Sequence, residues 1–164
     1  MLRIFLIAIV GLGAGLCAAQ AQEISVSEGE RISIIGGCHD CHTADYAESG
    51  GQINPATALK GNPVGYNSPR GTTYAVNLRL LAAEYDEDEW VKFLQGFTAR
   101  PPMPWYNVHR LKEAEMRSLH QYIMSLGEPG EPVPGRLPRG ETPTTPYGLY
   151  RNGVCTVWRD TQSM

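Results

Sequence analysis

The chain has 164 residues, room for one domain with a proper core and too few for two. Its formal net charge of −3 arises from 14 basic and 17 acidic residues, which leaves no basic field suited to nucleic acid. With 42% hydrophobic and 19% charged residues the composition is that of a globular protein, and 18 Gly with 12 Pro point to a loop-rich one.

The N-terminus reads as a leader. Met1-Leu2-Arg3 is a short positive start, Ile4 to Leu16 is almost wholly apolar, and Ala19-Gln20-Ala21 supplies the A-x-A pattern that a signal peptidase accepts. The apolar run falls short of the about 20 residues of a membrane helix. Leu16 is too large for the position before a lipidated cysteine, which argues against Cys17 as such a site. Cleavage after Ala21 is expected, with an uncleaved anchor as the alternative. The mature protein would then be periplasmic and carry no transmembrane helix. The organisation expected is a signal peptide over 1–21, a domain over 22–127 and an extension over 128–164.

Ser27-Glu28-Gly29-Glu30 has the form of a capping box, and Ile32, Ile34 and Ile35 follow, which predicts a helix from Ser27 to Gly36. Residues 44–80 show no sustained period and read mostly as loop. Asp86 and Glu89 form a second capping box. Trp90, Phe93, Leu94 and Phe97 then recur at helical spacing, with Gly96 near the end. Pro101-Pro102-Met103-Pro104 cannot lie inside a helix. A third helix is predicted over Leu111–Leu126, with Met116, Leu119, Tyr122, Ile123 and Leu126 along one side and Gly127 as its stop. Residues 128–146 are dense in proline and read as an extended arm.

Cys38-His39-Asp40-Cys41-His42 carries the chemistry. C-x-x-C-H is the haem attachment pattern: two thiols three apart reach two vinyl groups of a porphyrin, and the adjacent imidazole binds the iron. A thioredoxin-like disulfide would open a helix in a βαβ unit, and no such unit is evident. A zinc finger would need a second ligand pair, and His109 and His120 are eleven apart. Candidates for the sixth iron ligand are Met103, Met116, Met124, Met164, His39, His109 and His120. Met103 is favoured because prolines stiffen its loop, with His109 next; Met116 reads as core, and His39 sits too close to the tethers.

At these residues the chain resembles a class I c-type cytochrome over about residues 27–127. The likeness is nearest to single haem domains of the cytochrome subunits that serve periplasmic alcohol and aldehyde dehydrogenases. Gly71-Thr72-Thr73-Tyr74-Ala75-Val76-Asn77 and Met103-Pro104-Trp105-Tyr106 match stretches of those domains. The resemblance implies an all-α fold around one covalently bound haem c, with His42 proximal, Met103 distal and Cys38 and Cys41 as tethers. It places Tyr74 and Asn77 near the haem edge, in reach of the propionates. A proline carbonyl, Pro63 rather than Pro69, is expected to accept from the proximal imidazole. Those subunits usually hold three such motifs and a membrane helix; here one motif is present, so the chain is expected to be a free-standing domain. The arm and the stretch from Tyr147 on match nothing in the family pattern, and Cys155 is expected to be a free thiol or to pair with another chain. The function implied is electron transfer, not enzyme catalysis. A dehydrogenase would be the donor and a cytochrome or oxidase the acceptor. The alternative is an open haem that performs redox catalysis or binds a small gas.

Overall fold

The computed structural model describes residues 23–159, with side chains described through Cys155. The expected leader lies outside these residues. Helix α1, Val26–Ile35, has its cap two residues before the expected one. Ser25 is the cap: its hydroxyl accepts from Glu28 N–H at 3.2 Å, while Ser25 N–H donates to Ser118 Oγ at 3.1 Å. Tertiary contact therefore decides between two serines that each precede a glutamate by three positions. One turn, α2, covers Cys38–His42.

The strands β1, Asn62–Ser68, and β2, Gly71–Ala75, form an antiparallel hairpin. Helix α3, Leu78–Ala82, follows, capped by Asn77. Helix α4, Glu87–Gly96, has both bonds of the expected capping box, Glu89 N–H to Asp86 at 2.8 Å and Asp86 N–H to Glu89 at 3.2 Å. The short α5, Trp105–Val108, precedes α6, Glu113–Ser125, which starts later than expected. At its start the Glu115 carboxylate accepts from Lys112 N–H at 2.7 Å. Strands β3, Tyr147–Arg151, and β4, Val154–Arg159, close the described chain.

The core gathers Leu59, Ala82, Trp90, Val91, Leu94, Met116, Leu119, Tyr122 and Ile123. It thus joins α3, α4 and α6 over one loop residue. Met124, a candidate iron ligand in the sequence, is exposed on α6. Helix α1 packs across α6 in the most extensive contact between elements.

The all-α expectation does not hold. Four strands form one sheet in the order β2-β1-β3-β4, with β1 and β3 parallel and Gly65 opposite Tyr147. The stretch read as loop supplies β1, β2 and α3, and the extension supplies β3 and β4. Strand β1 contains Pro63, Gly65 and two asparagines, so its intrinsic propensity is poor; it is a strand because it is paired on both sides. The arm between α6 and β3 runs back over the domain. Leu137 and Thr72 exchange two backbone bonds at 3.1 Å. Gly71, at φ 107°, permits that approach: a Cβ there would stand 2.3 Å from the Leu137 carbonyl oxygen.

Candidate haem site

The cysteines of the attachment motif occupy one helical turn. Gly37, at φ 70°, redirects the chain between α1 and α2. Residues 38 and 41 then fall three apart on α2, so their side chains share one face. Both thiols are free. Cys38 packs against the core, and burial pushes its thiol up to about 11. Tyr66 Oη–H on β1 donates to Cys41 Sγ at 3.5 Å, and burial followed by this bond pushes the phenol upward.

His42 is held from outside α2. Its Nδ1 lies 2.7 Å from the Val76 carbonyl oxygen. A carbonyl can only accept, so Nδ1 carries the proton and Nε2 the lone pair. Burial lowers the imidazole pKa, opposed by the bond to Val76, and the neutral ring is the form a metal binds. Nε2 makes no hydrogen bond among the described residues. The expected acceptor, Pro63, is exposed and takes no part. The acceptor instead belongs to the residue just past β2, whose carbonyl oxygen is the one within reach of Nδ1. No side-chain signal marks a carbonyl, although Val76 directly precedes Asn77 of the stretch singled out above.

A chain of hydrogen bonds fixes the rest of the motif. His39 is fully buried. Leu59 N–H donates to Thr43 Oγ1 at 2.8 Å, and Thr43 Oγ1 lies 2.8 Å from His39 Nδ1. His39 Nε2 lies 3.0 Å from Ser33 Oγ, and Ser33 Oγ–H donates to Glu30 O at 2.7 Å. The amide at one end can only donate and the carbonyl at the other can only accept. Thr43 therefore donates to Nδ1, and Nε2–H donates to Ser33. Tyr46 lies tilted against the ring at 5.1 Å and Tyr122 of α6 meets it edge-on at 6.2 Å. Burial holds the ring's pKa down to about 4. His39 is thus committed to structure, and nothing in its sequence setting announces it.

On the other side lies the proline loop. Met103 is half-buried between α4 and α5, and its N–H donates to Arg100 O at 3.2 Å. Thr73 Oγ1 of β2 donates to Pro101 O at 3.4 Å. One extended stretch, Thr73 to Val76, therefore touches the Met103 loop at one end and the His42 ring at the other, about 10 Å apart. The competing histidines are engaged: His109 Nε2–H donates to Phe97 O at 2.9 Å, and His120 Nε2–H faces the carbonyls of Ala82 and Tyr85 at 3.2 and 3.1 Å.

Asn77 and Tyr74 each have hydrogen-bond partners within the protein. Asn77 Oδ1 accepts from Arg79 and Leu80 N–H, and Nδ2 donates to Pro129 O at 2.8 Å and Glu131 O at 3.1 Å. Its side-chain amide is thereby engaged with α3 and the arm. Tyr74 Oη pairs with Thr145 Oγ1 at 3.1 Å. The buried Arg79 guanidinium donates to the carbonyls of Pro55, Ala58, Leu126 and Glu128, tying the loop before β1 to the end of α6. Cys155 is a free thiol.

Among the described residues no three His, Cys, Asp or Glu side chains converge as a bare ion would require. A porphyrin brings four nitrogens of its own, so it needs axial side chains and tethers only. Two free thiols on one face of a turn, followed by an imidazole with Nδ1 anchored and Nε2 open, fit that need. Among the described residues no helix is long and apolar enough to cross a membrane.

Comparison with known proteins agrees with this chemistry. The family model for cytochrome c matches residues 26–127. Searches of curated proteins and of solved structures gave no match. The matched span covers α1 through α6, the haem motif and the Met103 loop, and the chain belongs to the cytochrome c family, whose members carry covalently attached haem c.

Proposed function

We propose that the protein is an exported mono-haem electron carrier that takes single electrons from a dehydrogenase and passes them to a further cytochrome or an oxidase. The observation that carries this reading is the placement of Cys38, Cys41 and His42 on one helical turn, with His42 Nδ1 fixed by the Val76 carbonyl. Cys38 and Cys41 hold the porphyrin by thioether bonds. His42 would bind the iron through Nε2, and Met103 would supply a second ligand from its stiffened loop. Haem supplies a one-electron Fe(III)/Fe(II) couple when bound. With His42 and Met103 both serving as ligands, little geometry would need to change with each electron.

Support for the partners comes from the stretches Gly71 to Asn77 and Met103 to Tyr106, which are similar to those of dehydrogenase cytochrome subunits. Support for export comes from the leader-like residues 1–21. Expression in a host competent in cytochrome maturation tests the core of the reading. The purified protein should weigh one haem more than the polypeptide, should resist acid extraction of its colour, and should titrate as a single one-electron centre with low-spin iron in both states. A colourless product of bare polypeptide mass would end the haem assignment. High-spin ferric iron that binds carbon monoxide readily once reduced would replace the carrier with the open-site alternative.

A further inference from the structure

We propose that His109 is a positioning residue that latches the Met103 loop shut, keeping the thioether on the iron and outside ligands off it. The inference rests on the reading of Met103 as distal ligand. The chain leaves α4 at Phe97 and passes through the proline loop into α5, which His109 caps. Met103 stands midway between residues 97 and 109. His109 Nε2–H donates across the base of this loop to Phe97 O at 2.9 Å. The imidazole ring sits edge-on to Phe97 at 5.7 Å and tilted against Trp105 at 5.0 Å. Phe97 in turn stacks on Phe93 at 5.2 Å, and Phe93 lies 5.8 Å from the buried Trp90. One side of the latch is therefore rooted in the core.

The loop has few other means of holding itself. Pro101, Pro102 and Pro104 have no N–H to donate. Its far rim is tied by Thr73 to Pro101 O, which places β2 beside the apex while His109 closes the base. A closed base shortens the free segment that must be ordered to deliver sulfur to iron, and so lowers the cost of ligation.

The test is imidazole binding to the ferric, haem-loaded protein, read by loss of the long-wavelength sulfur-to-iron charge-transfer band. His109→Ala should bind imidazole roughly tenfold more tightly than wild type, since one hydrogen bond and its ring packing are removed. His109→Phe keeps a ring without the donor and should behave like His109→Ala. His109→Gln keeps a donor and should return toward wild type. Gly29→Ala, which strains the distant α1–α6 crossing, controls for general loss of stability and should leave imidazole affinity unchanged. Wild-type affinity in His109→Ala or His109→Phe, or an equal shift in Gly29→Ala, overturns the latch. A Met103→Ala protein with the wild-type ferric spectrum would instead overturn the ligand reading beneath it.

Discussion

Lowering the pH should weaken the fold through His39. Its ring has no exposure, and both nitrogens are committed, Nε2–H to Ser33 and Nδ1 to Thr43. Burial holds its pKa down to about 4, with Asp40 raising it and His42 lowering it to lesser extents. In the unfolded chain the same ring titrates near its ordinary value of about 6.5. As pH falls through that value the unfolded chain takes up a proton that the folded chain refuses, so the equilibrium moves toward unfolding. Stability from this source is complete above about pH 6.5 and falls by about 1.4 kcal/mol per pH unit until about pH 4, a total of about 3 kcal/mol. Urea unfolding of the haem-loaded protein between pH 7.5 and 4.5, followed by far-UV circular dichroism, measures the slope. His39→Gln can donate to Ser33 and accept from Thr43 but cannot titrate. The wild-type line should fall more steeply than the variant's by about 1.4 kcal/mol per unit. Parallel lines would refute the assignment of a buried neutral His39.

Gly29→Ala should destabilise the protein by about 2 kcal/mol or more, because the new Cβ would stand 2.0 Å from Ser118 O and 2.6 Å from Tyr122 Cβ; in an open helix the same change would stabilise. A thermal midpoint equal to or above wild type would contradict that close crossing. Asn77→Asp keeps the cap of α3 but removes both N–H donors to the arm, so proteolysis within residues 128–140 should accelerate while helix content is retained; an unchanged cleavage rate would count against the anchor. Met103→Ala should turn low-spin ferric iron largely high-spin and lower the potential with the haem still covalently bound. An unaltered spectrum and potential would remove Met103 from the iron.

Helix α4 was legible because three independent signals coincide there: acidic capping at Asp86 and Glu89, apolar spacing from Trp90 to Phe97, and Gly96 at the end. The attachment motif was legible for a different reason, since its spacing is set by a ligand of fixed size. The start of α1 was not, since Ser25 and Ser27 offer equal local signals and a contact from α6 settles the choice. The sheet was missed because β1 is composed of poor strand formers, and its pairing partner lies in the extension. One overlooked signal was present: Asn152-Gly153, at φ 51° and 83°, is the dipeptide that turns β3 into β4. At the candidate site, Val76 escaped notice because it contributes a backbone oxygen, and His39 because its role depends on partners from three separate segments.

The parallel pairing of β1 with β3 joins positions more than 80 residues apart, across every helix from α3 to α6. Such a closure carries a large entropic penalty unless the intervening helices have first condensed, so this ribbon should form late. The stretch that completes it also follows every described helix in the chain, so it is synthesised after them. Before then Tyr66, whose hydroxyl reaches Cys41, sits on a hairpin with one unpaired edge. Biogenesis thereby acquires an order: sulfur chemistry at Cys41 can proceed while its neighbouring hairpin is still loose, and β3 clasps that corner afterwards.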